Sequence, residues 1–104
     1  MVAEINDYRG TKVGEYTVEC VEMLDSDTCI LSFETIDDEE DEDTVVDITA
    51  EYWIDEDSWH FNDTFFVKGS GDYLDTCKTT HLTEEEKDRC KEIIVKYLNQ
   101  FTSK

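Results

Sequence analysis

Seven consecutive carboxylates, Asp37, Asp38, Glu39, Glu40, Asp41, Glu42 and Asp43, are the strongest chemical signal in the chain. A second run, Asp55, Glu56 and Asp57, follows. Around them Glu15, Glu19, Glu34, Asp47 and Glu51 stand at alternate positions in segments with strand-like patterning. Carboxylates at such density can ligate hard cations, transfer protons, or attract Lys and Arg while repelling phosphate. Each option makes different demands on the neighbouring residues.

Calcium ligation requires a loop in which oxygen donors alternate around a glycine. Asp55-Glu56-Asp57-Ser58-Trp59-His60 begins in that way, but its fifth position is Trp and its sixth is not Gly. No helix is predicted on either side, so only weak, adventitious binding is expected. Zinc is argued against by spacing. Cys77-x3-His81-x8-Cys90 lacks the closely paired ligands of structural sites. Cys20, Cys29 and Cys90 fall on predicted apolar faces and are read as small core residues. No metal or cofactor is expected.

Catalysis has no support either. The chain contains no G-x-S-x-G, no glycine-rich phosphate loop and no H-E-x-x-H, and its two histidines, His60 and His81, have no evident nucleophile partner. The protein is expected not to be an enzyme. Direct nucleic-acid binding is disfavoured because phosphate would be repelled. Attraction of a basic partner is the option that remains.

The distribution of charge supports that option. The net charge is −19, and residues 1–67 hold 21 Asp and Glu against only Arg9 and Lys12. Residues 68–104 hold seven acids and seven bases. Acidity needed only for solubility has no reason to segregate in this way.

Elements must hold these carboxylates in place. The length of 104 residues suits one domain, and five Phe, five Tyr and two Trp suffice for a modest core despite a mean hydropathy of −0.59. Residues 15–24 begin by alternating, with Tyr16, Val18 and Cys20 on one side, and then shift parity at Val21 and Met23. A β-bulge near Cys20 would explain that shift, as would the end of a strand. Asp25-Ser26-Asp27 reads as a turn held by side chains bonding nearby amides. Residues 28–36 form a second strand with Cys29, Leu31 and Phe33 toward the core. The 37–43 block repels itself and is expected to be a disordered, solvated loop. Val46, Ile48, Ala50, Tyr52 and Ile54 then alternate with polar residues along a third strand, on whose polar parity Trp53 falls. Residues 58–67 supply a fourth strand, with a break conceivable at Asn62-Asp63. Residues 73–81 read as an irregular connection.

The chain ends in a helix. Thr83-Glu84-Glu85-Glu86 has the capping-box pattern, and Cys90, Ile93, Ile94, Tyr97, Leu98 and Phe101 share one helical face. The expected architecture is α+β, a single domain over 1–104: a four-stranded antiparallel β-meander with one C-terminal α-helix packed on one face. The other face is left to solvent.

On that face, carboxylates two residues apart along a strand are about 6.6 Å apart, and neighbouring strands are about 4.8 Å apart, so a negative lattice results. It is sparser than the phosphates of duplex DNA, at about one charge per 1.7 Å of axis, but similar in kind. In charge and size the chain resembles the DNA-mimic inhibitors that phages and mobile elements direct against restriction enzymes, CRISPR effectors and nucleoid proteins. That resemblance implies an inhibitor of a basic nucleic-acid-binding protein, of anti-CRISPR or anti-restriction type. Glu15, Glu19, Asp47, Glu51 and Trp53 are then docking contacts, with Asp37–Asp43 and Asp55–Asp57 steering approach. An immunity protein or antitoxin against a cationic nuclease toxin shares the same physics. A structural or cation-binding accessory domain with a solvated acidic face is the third reading.

No apolar run approaches the length of a membrane span, and Met1–Asp7 lacks the features of a secretory leader. The expected compartment is the cytoplasm, of the host if the protein is viral, with Cys20, Cys29, Cys77 and Cys90 reduced. A monomer or weak homodimer is expected, since the charge opposes self-association.

Overall fold

The computed structural model describes residues 8–77 and 80–102, with side chains through Gln100. It is an α+β fold in which an antiparallel sheet is covered on one face by a C-terminal helix. The sheet contains β1 (Lys12–Val13), β2 (Tyr16–Asp25), β3 (Thr28–Phe33), β4 (Ile36–Asp37), β5 (Thr44–Trp53), β6 (Ser58–Val67) and β7 (Tyr73–Cys77), and the helix is α1 (Glu84–Thr102).

The expected meander is present, but four strands undercount it. The sheet order is β1-β2-β3-β5-β6-β7, with β4 also paired to β5. The second expected strand is split. β3 meets β5 at Trp53 to Thr49, and β4 meets it at Val46 and Val45, so the two occupy one line interrupted at Glu34-Thr35. β1 and β7 are the other additions. β1 is too short to show a period, and in β7 only Cys77 is less than exposed, so neither carries the alternation that marks a half-buried strand.

The buried side chains follow the sequence pattern closely. β3 turns Cys29, Leu31 and Phe33 inward, and β5 turns Thr44, Val46, Ile48 and Ala50 inward. In β2, Val18 and Val21 are both fully buried although they are an odd number of residues apart. Only an extra residue can bring both to one face, and the register slips between Val18 and Cys20 as expected. Cys20 itself is corrected: beyond the bulge it pairs with Ser32 on the outer face, away from the core. β6 runs unbroken through Asn62 and Asp63.

The helix begins at its predicted cap. The Glu86 amide donates to Thr83 Oγ1 at 3.1 Å, and Glu86 Oε1 accepts from the Thr83 amide at 2.9 Å. Cys90, Ile93, Ile94 and Tyr97 are buried against the sheet, and Leu98 packs beside them. The Phe101 side chain and the Met1–Asp7 segment lie outside the described residues. Glu86 also sets the β1–β2 turn: Gly14 has φ +63°, and a Cβ there would overlap the Glu86 carboxylate.

Candidate partner-binding surface

The acidic residues collect in three places, each held by backbone geometry. The first is the β4–β5 end. Glu39–Asp43 are exposed as predicted, yet the block is tied into tight turns. The Asp38 amide donates to the Thr44 carbonyl (2.9 Å) and the Thr44 amide to the Asp41 carbonyl (3.1 Å). The Glu40 amide donates to Asp38 Oδ1 (3.1 Å), and the Asp43 amide to Asp41 Oδ1 (2.9 Å). Asp carboxylates accept amide protons two residues on, so the acids build the turn that carries them. Hydrogen bonds from the Asp43 amide and the Thr44 side chain hold the Asp41 carboxyl below its ordinary range. A disordered loop therefore does not describe these residues; Asp37 is in a strand and its neighbours are hydrogen-bonded.

Glu15 is corrected in position. It lies in the β1–β2 turn rather than on a strand, and with Asp37 and Glu39 it lines a cavity of about 220 Å³ at this same end. Lys68 Nζ reaches Asp37 Oδ1 at 3.2 Å, an exposed pair.

The second group lies at the opposite end of the sheet. In the β5–β6 turn, Asp57 takes a left-handed φ of 51° and accepts the Tyr52 hydroxyl at 2.6 Å, beside Asp55 and Glu56. The Ile54 amide donates to the Asp27 carbonyl at 2.8 Å, which draws the Asp25–Asp27 turn alongside. The Asp27 amide donates to Asp25 Oδ1 at 2.8 Å, the expected side-chain turn.

The outer face joins the two ends. The pairing register puts Glu22, Ile30, Glu51 and His60 in one row across four strands, and Asp47 with Thr64 and Thr76 in another. The Asp47 carboxyl is raised above its ordinary range, first by burial and then by the neighbouring negative charge of Glu19. The predicted Glu19, Asp47 and Glu51 thus share this face. Trp53 is 36% exposed there, stacked on His60 with ring centroids 3.9 Å apart, and its Nε1 donates to Glu51 Oε1 at 2.9 Å. It is a surface aromatic. The face is mixed: Ile30, Val45, Phe66 and Tyr73 stand among the acids.

Cations are concentrated on the covering helix. Lys87 pairs with Glu84 and Arg89 with Glu92, each at 3.2 Å. Lys87 and Lys91 also lie over the rings of Phe61 and Trp59. The helix thus carries four bases against five acids, with two acid–base pairs in contact. Among the described acids of the first two thirds, only Asp37 and Asp63 have an ion-pair partner.

Asp63 is a functional-looking group that sequence reading missed. It is 1% exposed on the core side of β6 and accepts from the Thr80 hydroxyl (2.8 Å), the His81 amide (3.0 Å) and His81 Nδ1. It fastens the connection between β7 and α1 to the sheet. Its only sequence signal was an acid at inward parity, between Phe61 and Phe65.

Cys29 and Cys90 are buried and Cys20 and Cys77 half-buried, all four as free thiols. Among the described residues no group of three or more His, Cys, Asp or Glu is arranged to hold a metal ion, and no helix is long and apolar enough to cross a membrane. Comparison of the chain with protein families, with curated proteins and with solved structures finds no match.

Proposed function

We propose that this protein binds a strongly basic nucleic-acid-binding protein and obstructs its phosphate-binding groove, with fixed carboxylates standing in for phosphates. One observation carries the reading: at the two acidic ends and on the outer face between them the described carboxylates, apart from Asp37, have no ion-pair partner, while on the helix opposite Lys87 and Arg89 pair with Glu84 and Glu92. Side-chain and backbone bonds hold the turns at both ends, so the charges need little ordering when a partner arrives.

Spacing adds support. The ten residues of β5 separate the ends by about 31 Å at roughly 3.4 Å per residue. That is close to one turn of B-form DNA, about 34 Å. A groove that grips phosphates on both sides of a turn would meet an acidic end at each grip. The ends are also more than about three screening lengths of 8–10 Å apart, so each acts on its own part of the partner. Steering by this field speeds encounter and is lost as salt rises. Neutralisation of a cationic nuclease toxin would use the same surface, and partner identity alone separates the two roles.

The test is displacement. Labelled duplex DNA is bound to a panel of basic DNA-binding proteins, and the acidic protein is titrated in at low and high salt. Release from at least one member at low salt, abolished when Asp37–Asp43 are replaced by Asn and Gln, is the expected result. Release from none, together with affinity capture from lysate that returns only non-basic proteins, would end the proposal.

A further inference from the structure

β7 is the last strand of the sheet, with β6 on one side and, among the described residues, no strand on the other. Both ends of the described chain leave from the opposite edge. Gly10 and Thr11 exchange backbone bonds with Val18 of β2, and the Tyr8 hydroxyl bonds Gln100 near the end of α1. β2 is four strand spacings from β7, about 19 Å. The chain after Cys77 leads to Thr80 and His81, which bond Asp63 of β6 rather than the far side of β7. Tyr73 and Leu74, 62% and 50% exposed, have the exposure of an uncovered edge.

The direction of the backbone groups follows from alternation. The Lys68 amide bonds the Asp43 carbonyl on the β5 side, and the Val67 amide bonds the Asp72 carbonyl on the other. Groups along β6 alternate between its two edges, so those of Asp63 and Phe65 face β7, where Cys77 and Asp75 are their partners. Thr76 lies between those partners and turns its amide and carbonyl away from β6. Its amide donates to Asp75 Oδ1 at 2.8 Å, so the carboxylate is folded over the open edge. Charged side chains at an edge keep it from pairing with chains of like charge. A cation reverses that effect, because it draws the carboxylate off the amide.

Charge and parity define the occupant. Asp75 is exposed and, among the described residues, has no ion-pair partner. The bond from Lys68 to Asp43 fixes the β6–β7 turn, so a strand laid along β7 runs toward the Asp37–Asp43 end of the sheet. A residue opposite Thr76 falls on the outer face, the side of Phe66 and Tyr73, whose rings meet edge to face at 6.2 Å. Its neighbour falls opposite Asp75. An extended segment with apolar residues at the first parity and Lys or Arg at the second satisfies both. A second copy of the chain would bring a further −19 of like charge.

We propose that the outer edge of β7 receives an extended segment of the basic partner, whose main chain takes the Thr76 amide and carbonyl while an adjacent Lys or Arg takes the Asp75 carboxylate. Main-chain bonds supply affinity in this mode, and alternate side chains supply selectivity. The inference rests on the reading of a basic partner and specifies part of how that partner is held.

The test uses the full-length protein and capped octapeptides of Lys and Val in equal number. One alternates Lys and Val, and one has them in separate blocks. Two more are the alternating peptide N-methylated on its Val amides or on its Lys amides. Binding is followed by calorimetry at low and high salt, and amide exchange at Thr76 by NMR. The alternating peptide should slow exchange at Thr76. Methylation of the Val amides, which face Thr76, should weaken binding about tenfold or more, and methylation of the Lys amides should leave it unchanged. Asp75→Asn should bind the alternating peptide about two- to fivefold more weakly, the loss of one exposed ion pair. Equal binding of the two methylated forms, or of Asp75→Asn and wild type, overturns the inference. If blocked and alternating peptides bind alike and Thr76 exchange is unchanged, the edge inference falls while the anionic-surface reading stands. If no peptide binds even at low salt, both fall. Protection of the Thr76 amide in a self-associated dimer without peptide would assign the edge to a second copy and overturn the inference.

Discussion

Asp63→Ala should be among the most damaging single substitutions in this protein. The carboxylate receives the Thr80 hydroxyl, the His81 amide and His81 Nδ1 while 1% exposed. His81 is 45% exposed, so its ring can turn to water and its bond counts for little. The Thr80 hydroxyl and His81 amide remain, and each bond to a charged acceptor contributes about 1.5–3 kcal/mol. Truncation would remove both and open a gap between Phe61 and Phe65. Release of a desolvated carboxylate offsets part of this, leaving a net loss of about 3 kcal/mol. For a domain of this size that lowers Tm by about 12–20 °C. Urea titration followed by far-ultraviolet circular dichroism would measure it. Asp63→Asn, which keeps the volume and one acceptor oxygen, should lose about half as much. An Asp63→Ala variant within about 1 kcal/mol of wild type would refute the claim that this carboxylate fastens the connection to the sheet.

Further predictions follow from other contacts. Gly14→Ala combines a positive φ with a collision against Glu86, and should cost about 1–3 kcal/mol in the same titration. Thr83→Ala removes half of the capping box and should cost about 0.5–2 kcal/mol, seen as a lower urea midpoint with unchanged slope. Asp47 binds its proton more tightly folded than unfolded, so it takes stability away as pH rises through its native titration. Asp47→Asn should therefore raise Tm at pH 7, and the gain should vanish below the ordinary carboxylate range; a lower Tm at pH 7 would contradict this. Burial pushes the Cys29 and Cys90 thiols up to about 12. In the native protein at pH 8 a disulfide reagent should therefore modify Cys20 and Cys77 first, with the other two reacting only on unfolding.

The sequence by itself determined what depends on local order. The alternations of β3 and β5, the odd step from Val18 to Val21, the Asp25–Asp27 turn and the Thr83–Glu86 cap were all legible, because each arises from residues within a few positions of one another. The collection of Glu19, Asp47, Glu51 and Trp53 on one face was legible for the same reason, since parity along a strand sets its side. Tertiary structure decided the rest. β1 and β4 have two residues each, and β7 turns nearly every side chain to solvent, so no period could announce them; only a neighbouring strand defines them. Glu15 left the outer face because it sits in the tight turn between β1 and β2. Asp63 looked like a turn acid until Thr80 and His81, distant in sequence, came to bond it. Hydrogen-bond partners across strands are chosen by the whole sheet, and no stretch of residues carries that choice alone.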